Sequence, residues 1–213
     1  GVAALRLAAQ RLAAAVSDGP GWRWFEPALS YDNARLPQAL LAAGTRLDDP
    51  VPTALGLSTL DWYLGQVGLT TGPVPVLRCV GNHGCHAGRP VPTDEGDEQP
   101  LDAAATVEAL LSAWRATGES RYTRLAQTAF AWFGGRNQAG LPVYDARTGG
   151  CRDGLSAHGV NANEGAESTL AYHQALGALR SAGIPVTIPP PAPDVASLLP
   201  VRLQMSATVH IGG

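Results

Sequence analysis

Lysine is absent from this 213-residue sequence, whose 15 basic residues are all arginine. Schiff-base catalysis and the phosphate-binding P-loop both depend on a lysine amine, so the sequence excludes both. Cysteine is scarce as well: Cys79, Cys85 and Cys151 are an odd number and too few for a disulfide scaffold. This sparse use of cysteine favours a reducing compartment.

The sequence is also poor in charge and in long apolar runs. Charged residues make up 15% of the chain, the net charge is −3, and the basic residues form no block. We therefore expect neither a nucleic-acid partner nor a membrane partner. No apolar run reaches the length of a membrane span, and the N-terminus shows no signal-peptide pattern. These absences predict a cytoplasmic protein.

Apolar residues recur at helical spacing in several segments that are bounded by glycine, proline or short polar turns. The predicted helices are 2–16, 34–44, 54–68, 101–118, 120–136 and 164–181. We expect Asp32 or Asn33 to cap the second helix, which should end at Gly44, and Asn161 or Asn163 to cap the last.

Long polar loops alternate with short turns between these helices, and strand signals are nearly absent before residue 183. The predicted fold is therefore all-α, built from antiparallel helical hairpins, and the long loops should lie on one face where they can build a site. From residue 183 onward the chain becomes a proline-rich linker followed by an alternating apolar segment, "VRLQMSATVHIGG", that is typical of a strand. We divide the chain into a helical domain, 1–182, and an extended tail, 183–213.

Aromatic side chains surround two carboxylates in the segment "WRWFEPALSYDN", residues 22–33. Trp22, Trp24 and Tyr31 offer ring faces that pack against sugars, while Glu26 and Asp32 can accept protons from sugar hydroxyls. A carboxyl group among apolar rings has a raised pKa, which suits a general acid. The alternative interpretation is a loop held by buried aromatic residues, with Asp32 as a helix cap.

Two further regions carry more polar groups than turns and caps require. The glycine-rich loop 132–154 contains potential hydrogen-bonding groups but lacks the strand–GxGxxG–helix order of a dinucleotide site. Before the last helix, Glu164 suits the first turn through the helix dipole, which leaves Glu167 without a structural task. Among the acidic residues of 94–107, most are expected to be solvated, and Glu98 or Gln99 is expected to face a cleft.

A zinc site is the alternative for the segment "RCVGNHGCHAG". Its Cys79, His83, Cys85 and His86 have a spacing that matches no standard zinc finger, and an adjacent Cys-His pair cannot easily share one tetrahedral ion. We therefore expect no metal ion and no cofactor.

Three stretches carry a family resemblance: "GWRWFEPALSYDNARLPQALL", "WFGGRNQAGLPVYDARTGGCRDGL" and "VNANEGAESTLAY". They resemble the α/α-toroid domain of six-hairpin-glycosidase-like type that is fused to, or encoded beside, bacterial glycosyltransferases. The resemblance covers residues 20–182 and is most specific from Asn137 to Tyr172. It implies an (α/α) toroid, or an arc of one, with a central cleft and a glycan ligand. A complete ring has more helices than this sequence predicts, so the resemblance implies a missing half of the toroid or a glycosyltransferase partner.

In this family pattern the residue at position 164 is often glutamine, which makes Glu167 the better candidate of the two acids. The sequence and the resemblance together favour a carbohydrate-active domain, glycoside hydrolase-like, with Glu26, Asp32 and Glu167 as paired catalytic carboxylates. The alternative is a non-catalytic glycan-binding or scaffolding domain attached to a glycosyltransferase. The expected ligand-binding residues are Trp22, Trp24, Tyr31, Asn33, Gln99, Arg136, Asn137, Asp153, Asn161, Asn163 and Glu164.

Overall fold

The computed structural model describes residues 1–17, 19–82, 84–86, 97–156 and 158–186, without the side chains of Cys85 and His86. Within these ranges the fold is mostly helical, as predicted. The six α-helices are α1 (Val2–Ala14), α2 (Arg35–Leu47), α3 (Pro50–Gln66), α4 (Pro100–Thr117), α5 (Ser120–Phe130) and α6 (Ala166–Ser181). A 3-10 helix, Ala131–Gly134, replaces the last predicted turn of α5. None of the helices in these ranges has the length and apolarity that a membrane crossing requires.

Two helical hairpins form the body of the fold, and α4 lies at their centre. Helices α2 and α3 pack together across a short turn, and so do α4 and α5, while α4 also packs against α2 and α6. The carboxylate of Asp49 accepts a hydrogen bond from the Val51 N–H at 3.0 Å and so begins α3. Gly118 ends α4 in the left-handed region, with φ 75°. The predicted hairpin of the fourth and fifth helices is confirmed.

Helix α2 does not end at Gly44 as predicted but continues to Leu47 and ends at Asp48, which adopts φ 52°. Gly44 serves a different purpose, since it is buried where α2 crosses α3. A Cβ atom at this position would lie 2.8 Å from the backbone nitrogen of Thr53. The glycine therefore allows two helix backbones to approach closely, and the sequence pattern alone does not distinguish this role from a helix end.

A pair of glycine-to-alanine variants tests this role. We expect Gly44→Ala to lower the free energy of unfolding by about 1–3 kcal/mol, because the added methyl group overpacks the α2–α3 contact. The matched control is Gly177→Ala in α6, where an added Cβ meets no atom within 4 Å. That variant should raise stability by roughly 0.5–1 kcal/mol through helix propensity. Denaturant titration measures both values, and equal effects of the two variants would contradict the close-packing role.

Besides the helices, three antiparallel pairs of two-residue strands occur in the described ranges. Such short strands leave no alternating pattern for a sequence to show. The pairs are β1 (Ala28–Leu29) with β2 (Cys85–His86), β3 (Tyr144–Asp145) with β4 (Gly150–Cys151), and β5 (Leu155–Ser156) with β6 (Gly159–Val160). The predicted linker and terminal strand of the tail lie outside the described residues beyond Val186.

Candidate functional site

The turn that leads into α2 exposes one tyrosine and orients one aspartate. Asp32 has φ 50°, a left-handed conformation that aspartate tolerates better than most residues. The predicted capping role of Asp32 or Asn33 is wrong, because Ala34 is the N-cap of α2 and no side chain caps the backbone there. Asn33 Oδ1 instead accepts from the Ser30 N–H at 3.0 Å, which closes the turn locally. The Asp32 carboxylate is therefore available for other contacts.

Asp32 belongs to a chain of charges that links α2 to α4. Its Oδ1 lies 3.3 Å from Nε of Arg35, and Arg35 also pairs with Glu108 of α4. Partial burial raises the pKa of Asp32 above its ordinary value, and this effect exceeds the opposing effect of Arg35. Glu108 and Glu167 raise the pKa of Asp32 further through charge repulsion. Asp32 thus has the environment of a carboxyl group that can hold a proton.

Glu167 meets the same turn from α6. It lies in the first turn of that helix and is exposed, and the Tyr31 hydroxyl lies 3.5 Å from its Oε2. The tyrosine ring is half exposed. Burial raises the pKa of Tyr31, and the charges of Glu167, Asp32 and Asp102 raise it further in that order. The charges of three carboxylates therefore act on one accessible tyrosine, and two of them, Asp32 and Glu167, are predicted site residues.

The third carboxylate, Asp102, was expected to be solvated, and that expectation is wrong. Asp102 lies in the first turn of α4 and is 1% exposed, and neither of its side-chain oxygens makes a hydrogen bond. Burial and the charge of Asp32 raise its pKa to about 7, against the influence of the nearby backbone N–H groups of Asn33 and Asp32. The sequence carries one usable signal for this position. Residues 103–107, which follow it, are all small or apolar and lie in the core.

Glu98, which the sequence predicts to face a cleft, is buried, and one of its carboxylate oxygens accepts two hydrogen bonds. Its Oε2 accepts from the Cys79 N–H at 3.0 Å and from Trp132 Nε1 at 2.8 Å. Its backbone forms a two-way bridge with Leu155. Burial raises the pKa of Glu98 to about 7, and the hydrogen bonds from Trp132 and Cys79 oppose that rise. Glu98 thus joins the segment before α4 to Cys79, to the 3-10 helix and to Leu155. The neighbouring Gln99 is half buried just before α4 and makes no capping bond with its side chain.

Glu164 belongs to a network of ion pairs around Arg152. It lies before α6 rather than in the predicted first turn, with its Oε1 3.3 Å from Nη2 of Arg152. Arg152 also contacts Asp145 and donates to the Ala162 carbonyl at 2.6 Å. The hydrogen bonds from Arg147 lower the pKa of Asp145 to about 2. These contacts hold β3 and β4 against the segment that precedes α6.

The start of α6 is held by Asp153 and not by the predicted asparagine caps. Asp153 Oδ1 accepts from the N–H of Gly165, which precedes the helix, at 2.7 Å, and its Oδ2 accepts from Asn163. Burial tends to raise the pKa of Asp153, but hydrogen bonds from Asn163, Ser168 and Gly165 lower it overall. Asn161 Oδ1 accepts from the Asn163 N–H at 2.9 Å. These side chains place the helix that carries Glu167.

The remaining predicted residues make contacts within their own loops or in the core. The amide of Asn137 donates to the carbonyls of Trp132 and Leu141, whereas Arg136 is exposed and lies 3.4 Å from the Pro75 carbonyl. Trp22 and Trp24 are buried. The exposed Glu26 accepts from Trp22 Nε1 through its backbone oxygen.

Of the four side chains in the zinc alternative, the structure describes that of Cys79. Cys79 is buried, and burial raises the pKa of its thiol well above the ordinary range. In the described part of the chain, no group of three metal-ligating side chains has the geometry to hold an ion. His83 and the side chains of Cys85 and His86 lie outside the described residues, so the prediction for this segment stays a prediction.

No protein-family model matches the chain, and no curated protein matches it.

Proposed function

We propose that residues 1–182 form part of a carbohydrate-active domain, an (α/α) toroid or an arc of one, whose glycan site is built around Tyr31. The contact between Tyr31 and Glu167 carries this proposal. It joins the turn before α2 to the first turn of α6, which lies 136 residues away in the chain. Two of the three carboxylates that the sequence singled out, Asp32 and Glu167, therefore act on the same exposed ring. An accessible ring flanked by carboxylates suits a polyhydroxylated ligand.

The two carboxylates have environments that suit different roles in glycoside cleavage. Asp32 is partly buried and its pKa is raised, so it can donate a proton to the glycosidic oxygen as the bond to the anomeric carbon breaks. Glu167 is exposed and can take a proton from the water that attacks that carbon. The water supplies hydroxide to the sugar, and its proton stays on Glu167. Glu26 is left out of this site because its one described contact lies within its own loop.

A second candidate is a glycan-binding domain that performs no chemistry. One observation favours it: Arg35 lies against Asp32 and stabilises the ionised carboxylate, which suits an acceptor better than an acid. In this function Tyr31 stacks on a sugar ring, and Asp32 and Glu167 accept hydrogen bonds from its hydroxyl groups. A partner glycosyltransferase would then act on the bound glycan.

The two functions differ in the response of Glu167→Gln. If the domain is a hydrolase, we expect this variant to lower kcat on a cleaved oligosaccharide by about 10²–10⁴-fold. If the domain only binds, no oligosaccharide in a panel is cleaved, and the variant weakens binding by about tenfold or less through loss of one charged acceptor.

The matched control is Glu119→Gln. Glu119 is exposed and lies beyond the C-terminal end of α4, whereas Asp102 lies at the N-terminal end of that helix. Its loss removes only a surface ion pair with Arg121, which contributes about 1 kcal/mol or less. The control should match the parent chain in both assays. Absence of both turnover and binding across the panel would overturn the proposed function.

A further inference from the structure

The described side chains around Tyr31 are strongly biased toward hydrogen-bond acceptors. The Glu167 carboxylate lies 3.5 Å from the Tyr31 hydroxyl, Asp32 is the next residue in the chain, and the charge of Asp102 also acts on Tyr31. The cation beside them, Arg35, is already engaged, since it contacts Asp32, pairs with Glu108 and donates to Gln38 at 2.9 Å. A ligand in this place meets excess negative charge and few donors.

Two buried side chains lack partners beside this acidic surface. The Nδ2 of Asn33 and both oxygens of Asp102 have no partner at hydrogen-bond geometry, although these residues are only 2% and 1% exposed. The backbone N–H groups of Asn33 and Asp32 lie near the Asp102 carboxylate and oppose the rise in its pKa that burial causes, without completing a hydrogen bond. Buried polar atoms in proteins nearly always have a partner, and one without a partner often marks a place that water or a ligand completes. The carboxylate of Asp102 is close enough to Asp32 for their charges to repel each other. A positive group between the turn and α6 would relieve that repulsion.

On the basis of the proposed function, we propose that the glycan bound beside Tyr31, Asp32 and Glu167 carries a free ammonium group, as in a de-N-acetylated amino sugar. An ammonium group offers three donors and no acceptor, which complements a surface of carboxylates. The exposed face of Tyr31 adds a cation–π contact or packs on the sugar ring. Hydroxyl groups of the same sugar can accept from donors such as Asn33 Nδ2. N-acetylation removes the charge and replaces donors with an acceptor, so an acetylated sugar fits this site poorly.

A change in the protonation of Asp102 on ligand binding gives a second way to test the proposal. Several groups face Asp102 from the elements packed around it: Asp32 and the Asn33 N–H from the turn, Glu98 from the segment before α4, Tyr63 from α3, and Cys79 from its loop. Because the pKa of Asp102 is about 7, this residue is partly protonated near neutral pH. A bound cation lowers that pKa, so Asp102 should release a proton when an amino sugar that is already fully protonated binds.

The test is calorimetric binding of three oligosaccharides of equal length: a β-1,4-glucosamine oligomer, its fully N-acetylated form and a β-1,4-glucose oligomer. We expect the glucosamine oligomer to bind at least about tenfold more tightly than either neutral oligomer, with an affinity that falls as salt rises. Measurements in two buffers of different protonation enthalpy, at a pH low enough that the sugar amines are already protonated, should show proton release with the cationic oligomer alone. Glu167→Gln should reduce the preference to about threefold or less, whereas Glu119→Gln should keep it.

Each outcome separates this inference from the proposed function. Equal binding of neutral and cationic oligomers would overturn the ammonium proposal and leave the glycan site standing. A preference for the cationic oligomer that persists in a combined Asp32→Asn, Glu167→Gln variant would show general attraction to an acidic chain and would also overturn the proposal. Binding of none of the three at accessible concentrations, together with failure of the wider panel, would overturn both.

Discussion

Trp24→Ala is expected to lower the free energy of unfolding by about 3–5 kcal/mol, because it removes a large, fully buried side chain from the core. Trp24 stacks on Tyr63 with ring centroids 5.5 Å apart and meets Phe25 and Trp62 at 5.1 and 5.6 Å. It is 0% exposed, so a sugar cannot reach its face without rearrangement of the core. Denaturant titration measures the loss. A variant that keeps its stability but loses glycan binding would restore Trp24 as a ligand-stacking residue.

A comparison of two conservative variants refines this prediction. Trp24 and Trp132 are both 0% exposed, but the indole N–H of Trp24 has no partner whereas that of Trp132 donates to Glu98. Trp24→Phe removes an unsatisfied donor, while Trp132→Phe deprives a buried carboxylate of its hydrogen bond. We therefore expect Trp132→Phe to cost about 1–3 kcal/mol more than Trp24→Phe. Equal costs would show that the indole donors contribute nothing beyond volume.

The helices could be predicted because each has an apolar pattern many residues long, and one atypical residue does not hide such a pattern. The helix ends could not, because they depend on contacts with distant segments. Gly44 resembles a helix end in sequence, but the close approach of α3 makes it an interior residue. In the same way, the start of α6 is set by Asp153, which reaches Gly165 across a loop, rather than by the nearer Asn161. A cap supplied by a residue 12 positions away leaves no local signal.

The candidate site could be predicted in part. The sequence predicts Tyr31, Asp32 and Glu167 as site residues because neither the turn nor the helix start requires their aromatic or charged side chains. In the structure the Tyr31 hydroxyl lies 3.5 Å from Glu167, and Asp32 is the next residue in the chain. Asp102 was missed because a carboxylate near a helix N-terminus ordinarily faces water and stabilises the helix dipole. Its burial depends on the turn before α2 packing over the start of α4, and no local sequence pattern encodes that contact. For the same reason the sequence predicts Trp24 as a ligand-binding residue, although it lies in the core.

The stability of the fold is expected to fall as the pH rises from about 5 to about 8. Burial raises the pKa of Glu98 from 4.5 to about 7 and that of Asp102 from 3.8 to about 7. In the unfolded chain both groups lose their protons at lower pH, so the stability present in acid is lost as the pH rises through the folded pKa values. Each group loses about two pKa units of stabilisation between about pH 5 and its folded pKa, and one unit corresponds to about 1.4 kcal/mol, so the two together should lose on the order of 5 kcal/mol. Denaturant midpoints measured across this pH range test it.

Glu98→Gln separates the contribution of Glu98 from that of Asp102. Both hydrogen bonds to Glu98, from the Cys79 N–H and from Trp132, end on the same oxygen, and a glutamine carbonyl oxygen can accept both. The variant keeps these contacts and loses the ionisation, so it should be more stable than the parent at about pH 8 and no more stable at about pH 5. The pH dependence that remains belongs to Asp102 and should shrink again in an Asp102→Asn background. A Glu98→Gln variant that is destabilised equally at both pH values would show that the carboxylate is buried in its ionised form and that the two hydrogen bonds, rather than a retained proton, offset the cost of its burial.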